Sequence, residues 1–293
     1  MVVITLKGGL GNQLFQYAFG RRIALERNEQ LYFNINPLVS NSDQATPRDF
    51  KLERLPNTII ADEEVAATFN DIYYGERRAK IISDENTPKE NISSIINDPK
   101  VKAILIDGYF QDEFYFEPYK DFIRDEFKSF LDTYYQNSTL INNLLPMNQE
   151  TVSIHLRRTD YLEPEKMAVH GICDVDYYKK AIEIINSKLT NPYFYLFSDD
   201  PQEADKLFDG MLSEKINVSG LLAQVPSKDN DLIELALMSR CKNFILANSS
   251  FSWWGSYLSD ADPKLVIAPT SWLLSEELKS RGEDIALPTW IRV

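Results

Sequence analysis

Histidine and cysteine are nearly absent, with two of each in 293 residues. His155 and His170 are too few for a multi-histidine zinc site, and Cys173 and Cys241 have no metal-binding spacing. Two thiols fit a reducing compartment. Basic residues are also in deficit: 31 Lys and Arg stand against 44 Asp and Glu, a formal net charge of −13. That balance weighs against non-specific binding to nucleic acid or anionic lipid. No apolar run reaches the ~18 residues that mark a membrane span. The start, "MVVITLKGGLG", has no basic leader and no small-residue cleavage site after its apolar run. Low-complexity tracts, long blocks of like charge and repeats of about 20–50 residues are missing too. The expectation is a soluble, cytoplasmic chain, at most peripheral at the inner face of the membrane, with no nucleic-acid partner.

What is present is an ordinary globular composition, 44% hydrophobic and 26% charged, and length for two domains of about 100–200 residues. "VVITL" is β-prone and is followed by "KGGLGNQ". Then "NQLFQYAFGRRIALERN" repeats its apolar residues at three and four, which predicts strand, glycine turn and helix. "QLYFNI" and "VKAILIDGYF" read as further strands and "FIRDEFKSFLDTYY" as an amphipathic helix, while 37–97 has no clear pattern. "QNSTLINNLLPMNQE", residues 136–150, is the candidate linker. Beyond it strands ("TVSIHLR", "PYFYLFS", "NFILAN", "KLVIAP") alternate with helical stretches. Alternation of this kind predicts parallel sheets with right-handed crossovers. The fold class expected is therefore α/β, two Rossmann-like domains facing a cleft, over 1–147 and 148–293. Ligands of such sheets bind beyond the carboxyl ends of the strands. "KGGLGN", "DGYFQ", "HLRRTD", "FSDD" and "NSSFS" all fall there.

Each of these loops carries a chemical reading beside a plainer one. In "HLRRTDY" a guanidinium can bind phosphate oxygens through two parallel bonds and stays charged at any working pH. Arg157 and Arg158 point to opposite faces if the strand persists, so one of them is expected to meet a ligand directly. The plainer reading is a surface pair balancing acids. Gly8, Gly9 and Gly11 with Asn12 at a helix start would let backbone N–H groups approach an anion; the alternative is a tight strand-to-helix turn. Ser249 and Ser250 suit a helix cap and phosphate donation equally. Trp253 and Trp254, inside that helix, read as core. Ser198 or Asp199 would bind a ribose hydroxyl or cap the next helix. "DVD" at 174–176 has the form of a metal-binding D-x-D, but "DND" and "DAD" occur as well, and no metal site is expected.

Taken in order, "LKGGLGNQLFQYAFGRRIA", "DGYFQ", "HLRRTDY", "FSDD" and "LMSRCKNFILANSSFSWWGSYL" resemble the α-1,2-fucosyltransferases of glycosyltransferase family 11 across about residues 4–270. The resemblance implies a GT-B arrangement, with a C-terminal domain that holds GDP-fucose and an N-terminal domain on the acceptor side. It implies inverting transfer of L-fucose from GDP-β-L-fucose to the 2-hydroxyl of a galactoside, with no cofactor and no metal. By motif, His155 is expected to contact the nucleotide, and Arg157, with Arg158 beside it, the pyrophosphate. Asn248, Ser249, Ser250 and Phe251 belong to the loop that closes on the donor phosphates, and Ser198 and Asp199 to the donor side. Gly9, Gly11 and Asn12 approach the donor from the N-terminal domain. Where the family usually has an Asp for the guanine edge, this chain has Glu234, one methylene longer. Asp160 is the candidate general base, with orientation of the arginine pair as its alternative role. Tyr109, Phe110 and Gln111 are candidates for the acceptor subsite. The alternatives are another GDP-sugar transferase on the same scaffold and a non-catalytic binder of fucosylated glycans.

Overall fold

The computed structural model describes residues 1–39, 48–136, 149–158, 171–272 and 285–293, and the chain forms two compact units, Met1–Phe127 and Lys128–Val293.

In chain order the first unit contains β1 (Val2–Thr5), α1 (Leu10–Arg27), β2 (Leu31–Asn34), α2 (Asn36–Val39), β3 (Ile59–Ile60), α3 (Glu63–Asn70), β4 (Ala79–Ile82), α4 (Lys89–Ile96), β5 (Ala103–Asp107) and the start of α5 (Lys120–Gln136). All strand pairs are parallel, in the order β3-β2-β1-β5-β4. β1 is buried along its whole length, as a central strand covered on both faces must be. The segment 37–97, without pattern in the sequence, supplies the two edge strands β3 and β4. Short edge strands carry too few residues to display a period. α1 ends where Asn28 turns left-handed and its N–H closes on Ala24 and Leu25 carbonyls.

The second unit contains β6 (Thr151–Leu156), α6 (Val175–Lys188), β7 (Tyr193–Ser198), α7 (Pro201–Leu207), β8 (Lys215–Asn217), α8 (Val218–Ala223), α9 (Asn230–Met238), β9 (Asn243–Ile245), α10 (Ser250–Leu258), β10 (Val266–Ala268) and β11 (Ile291–Arg292). Its sheet, again parallel throughout, runs β11-β10-β9-β6-β7-β8. Val152, Ile154 and Leu156 of β6 join Tyr177, Tyr178 and Ile185 of α6 in one core, so the period of two sends Ser153 and His155 to the other face. Trp253 and Trp254 are fully buried, as expected, and the Trp253 indole donates to the Ile285 carbonyl at 2.6 Å.

The expected division at 147/148 and most of the linker at 136–150 fall on residues outside those described. The compact units part earlier, inside α5. Phe127 packs its ring 5.4 Å from Tyr17, whereas one turn later Arg240 pairs with Asp132 and stacks 3.6 Å from the Tyr135 ring centroid. No described helix is long and apolar enough to cross a membrane.

In each unit the chain builds outward on one side of its first strand, then returns to the other. The strand order therefore reverses between β1 and β5, and again between β6 and β9. Such switch points leave a crevice at the carboxyl ends of the two strands, where ligands of open α/β sheets bind.

Candidate functional site

At the second unit's switch point, β6 ends on Leu156 and passes directly into the arginine pair. The structure separates the two. Arg158 is buried, and its guanidinium donates to the carbonyls of Cys173 at 3.0 Å and Arg157 at 3.2 Å. Those bonds tie Arg158 to the backbone on either side of it. Arg157 keeps 24% of its side-chain surface exposed, and its Nε lies 3.3 Å from Asp199 Oδ2. The other oxygen of Asp199 accepts the Arg158 backbone N–H at 2.8 Å. A single carboxylate at the end of β7 thus orients both members of the motif. The Asp199 carboxylate is thus engaged by the arginine loop, a contact that neither the ribose nor the cap reading of Ser198 and Asp199 included.

Across the switch point, β9 leads through Leu246–Asn248 into α10. Ser249 caps that helix, its hydroxyl accepting the Phe251 N–H at 3.3 Å. Ser250 stands in the first turn. A helix N-terminus carries partial positive charge and unshared N–H groups, and the guanidinium of Arg157, paired with Asp199, belongs to the neighbouring β6 side of the same switch point. Asn248 is buried, and its amide donates to the carbonyls of Gly171 and Trp272, both at 3.4 Å. It ties loops together.

His155, one residue before the end of β6, has its ring 5.6 Å from that of Phe251. Burial, reinforced by the charge of Arg157, pushes its pKa down to about 3, so the imidazole is neutral. Its Nδ1 is buried with no hydrogen-bond partner among the described residues. A buried polar atom left unpaired costs about 1–3 kcal/mol; such atoms are tolerated where a ligand supplies the partner.

Glu234, on α9, is half-buried and receives a hydrogen bond from Ser219. The Ser219 oxygen in turn accepts the Ser198 N–H at 2.9 Å, which links Glu234 to the end of β7. Burial, helped by the nearby charges of Asp231 and Asp199, raises the Glu234 pKa to about 7. The expected helix cap at Ser198 or Asp199 is corrected: Asp200 caps α7, accepting the Glu203 N–H at 3.0 Å. Pro201 at the first helical position sets that register. Ser198 bonds the backbone of Asp200 instead. In "DVD", Asp174 is the cap of α6. Asp160 and His170 lie outside the described residues.

At the first unit's switch point, Gly8 has φ +81° and an added Cβ would fall 2.4 Å from Asn12 Nδ2, so glycine is required there. A Cβ on Gly9 would meet nothing within 4 Å, and Gly9 heads α1 without a side-chain cap. Gly11 is buried, and Asn12 Oδ1 accepts from Gln111 at 2.6 Å. The loops are stapled by two fully buried glutamines of α1. Gln16 accepts the Lys7 N–H and donates to Gly108 O; Gln13 donates to Gly8 O. Of the acceptor candidates, Phe110 is corrected. It is 1% exposed and packs 4.6 Å from Phe19, while Tyr109 is 41% exposed. Sequence reading missed Asp84, whose Oδ2 accepts the N–H groups of Tyr109 and Phe110. No local pattern around "SDEN" could have revealed it.

The model of the glycosyl transferase family 11 matches residues 84–293. An α-1,2-colitosyltransferase of Escherichia coli is 31% identical over 299 residues, covering 100% of this chain and 99% of that one. The O-antigen biosynthesis glycosyltransferase WbnK, also of Escherichia coli, is 26% identical over 98% of this chain and 99% of its own. The mouse galactoside 2-α-L-fucosyltransferase Sec1 is 24% identical over 59% of this chain and 44% of its own. Among solved structures, the fucosyltransferase NodZ from Bradyrhizobium shares the fold with a TM-score of 0.52 at 15% identity, over 88% of this chain and 93% of that one.

Proposed function

The chain belongs to glycosyltransferase family 11, with the two parallel-sheet domains of the GT-B class, and we propose that it transfers L-fucose from GDP-β-L-fucose to the 2-hydroxyl of a galactoside, forming an α-1,2 linkage. The observation that carries this reading is the partly exposed guanidinium of Arg157, oriented by Asp199, at a switch point shared with the N-terminus of α10.

Inversion requires the acceptor hydroxyl in line with the departing GDP. As the sugar–oxygen bond breaks, positive charge spreads over the sugar ring and negative charge grows on the diphosphate. Arg157 and the first turn of α10, with Ser249 and Ser250, meet the growing negative charge. A preorganised donor of this kind is worth about 3–4 kcal/mol in the transition state. In this reading no metal takes part, because the protein's own cation supplies the counter-charge. The His155 Nδ1 gains its missing partner from the nucleotide, and ionised Glu234 accepts the N1–H and N2–H of guanine. Asp160 takes the proton from the acceptor hydroxyl. The second unit is the donor-binding one and the first the acceptor-binding one.

The similarity to a colitosyltransferase favours a second reading of the same site. Colitose is fucose lacking its 3-hydroxyl, so both GDP-sugars present the same leaving group to Arg157. Incubation with GDP-fucose and GDP-colitose in parallel, over a panel of galactosides, separates the two readings, with product linkage determined by NMR. Fucose appearing at galactose O2 is the expected result. Transfer from GDP-colitose alone replaces the donor. A thermal shift with free fucose and none with GDP overturns the transferase in favour of a glycan-binding protein.

A further inference from the structure

The loop after β5 is built to hold one aromatic ring outward. Tyr109 is 41% exposed, while the next residue, Phe110, is buried against Phe19 and 5.0 Å from the Tyr115 ring. To make that turn Phe110 takes φ +50°, a left-handed conformation that a bulky residue adopts under strain. The strain is held by several independent contacts. Asp84 Oδ2 binds the N–H groups of Tyr109 and Phe110 at 2.6 and 3.2 Å. Gly108 presses so close that a Cβ would fall 2.4 Å from Asp84 Oδ1. Its carbonyl is fixed by Gln16 at 3.0 Å.

Beside the ring stands an ion pair. Lys7 Nζ lies 5.2 Å from the Tyr109 centroid and 3.0 Å from Asp107 Oδ1, with both charged side chains substantially open to solvent. Lys7 follows β1 and Asp107 ends β5, so the cluster occupies the first unit's switch point. The exposed Tyr109 ring and the ion pair stand outside the buried core. A surface ion pair contributes little to stability.

We propose that this cluster is the acceptor subsite, with the Tyr109 ring seating the apolar face of a galactopyranose and the Lys7–Asp107 pair binding its hydroxyls. The axial 4-hydroxyl of galactose leaves the hydrogens on C3, C4 and C5 together on one face, which matches an aromatic surface. The carboxylate accepts and the ammonium donates, so together they satisfy hydroxyls of either polarity. The inference rests on the reading above that the acceptor is a galactoside.

Saturation-transfer NMR with lactose and methyl β-galactoside tests it on the intact chain, with a GDP thermal shift recorded on the same samples. The galactose ring protons are expected to receive saturation from wild type and Tyr109→Phe, and less than about a fifth as much from Tyr109→Ala, all three keeping the same GDP shift. Asp107→Asn weakens the signal several-fold. No galactoside signal from wild type, or an undiminished one from Tyr109→Ala, overturns the subsite. A lactose signal without any GDP response overturns the nucleotide-sugar reading and leaves the subsite standing.

Discussion

Asp199 Oδ2 lies 3.3 Å from Arg157 Nε, from a residue 42 positions further along the chain and one strand away. The guanidinium is therefore held by a carboxylate before any ligand arrives, which lowers the conformational entropy it must lose on binding. Replacing Arg157 by Lys keeps the charge and loses the fork. The expected loss in kcat/KM is about 100-fold or more, near 3 kcal/mol. Asp199→Asn, a positioning change, should cost about tenfold. Near-wild-type turnover in Arg157→Lys would sink the clamp.

In the proposed donor site, Glu234 should introduce a pH dependence. Its carboxyl titrates near 7 in the folded protein, and only the ionised form accepts both guanine N–H groups. GDP affinity should thus weaken as pH falls below 7, and Glu234→Gln should flatten the profile at a lower affinity. Stability runs the opposite way. The raised pKa means that the folded state keeps a proton the unfolded chain loses, so this contribution is full below the unfolded value and lost as pH rises through 7. Calorimetric titration with GDP at pH 5.5, 6.5 and 8 reads the binding arm. A wild-type profile as flat as that of the Gln variant would remove Glu234 from the base site.

His155 predicts acid sensitivity of the fold itself. Its pKa is depressed to about 3 by burial and by Arg157, while the unfolded side chain takes its proton near 6.5. Stability present above pH 6.5 is therefore lost progressively as pH falls toward 3. At pH 5 the loss is about 2 kcal/mol. Urea midpoints at pH 7 and pH 5 should converge in His155→Gln. An equal drop in both proteins contradicts the assignment.

Gly8 and Gly9 are adjacent and should respond differently. Gly8→Ala places a Cβ at a left-handed φ and against Asn12, and should cost about 1–3 kcal/mol of stability. Gly9→Ala meets open space and should cost less than about 1 kcal/mol. Thermal unfolding of the two variants measures the difference, and equal costs would mean that the turn is not constrained as described.

Asp160→Asn separates the two roles of that residue. A general base predicts a fall in kcat of about 10²–10⁴-fold with GDP affinity unchanged. Weakened GDP binding points instead to orientation of the arginine loop. Unchanged turnover with unchanged affinity removes it as base.

The amino-acid sequence by itself determined the alternation of strands and helices, because a strand or helix declares its period within its own residues, as β1, α1, β6 and α10 do. It also placed the candidate site loops at the carboxyl ends of strands, since "GGLGN", "RR" and "NSSFS" each follow an apolar run directly. Tertiary structure decided the rest. It set the strand orders that put β6 beside β9 and β1 beside β5. It divided the arginine pair into a buried Arg158 and a partly exposed Arg157 paired with Asp199, and buried Phe110 while leaving Tyr109 outside. It also gave Asp84 and Gln16 their parts. The physical reason is common to all of these. Burial and pairing depend on groups supplied from afar, Asp199 reaching Arg158 across 41 residues and Gln16 reaching Gly108 across 92. No local periodicity records such a partner.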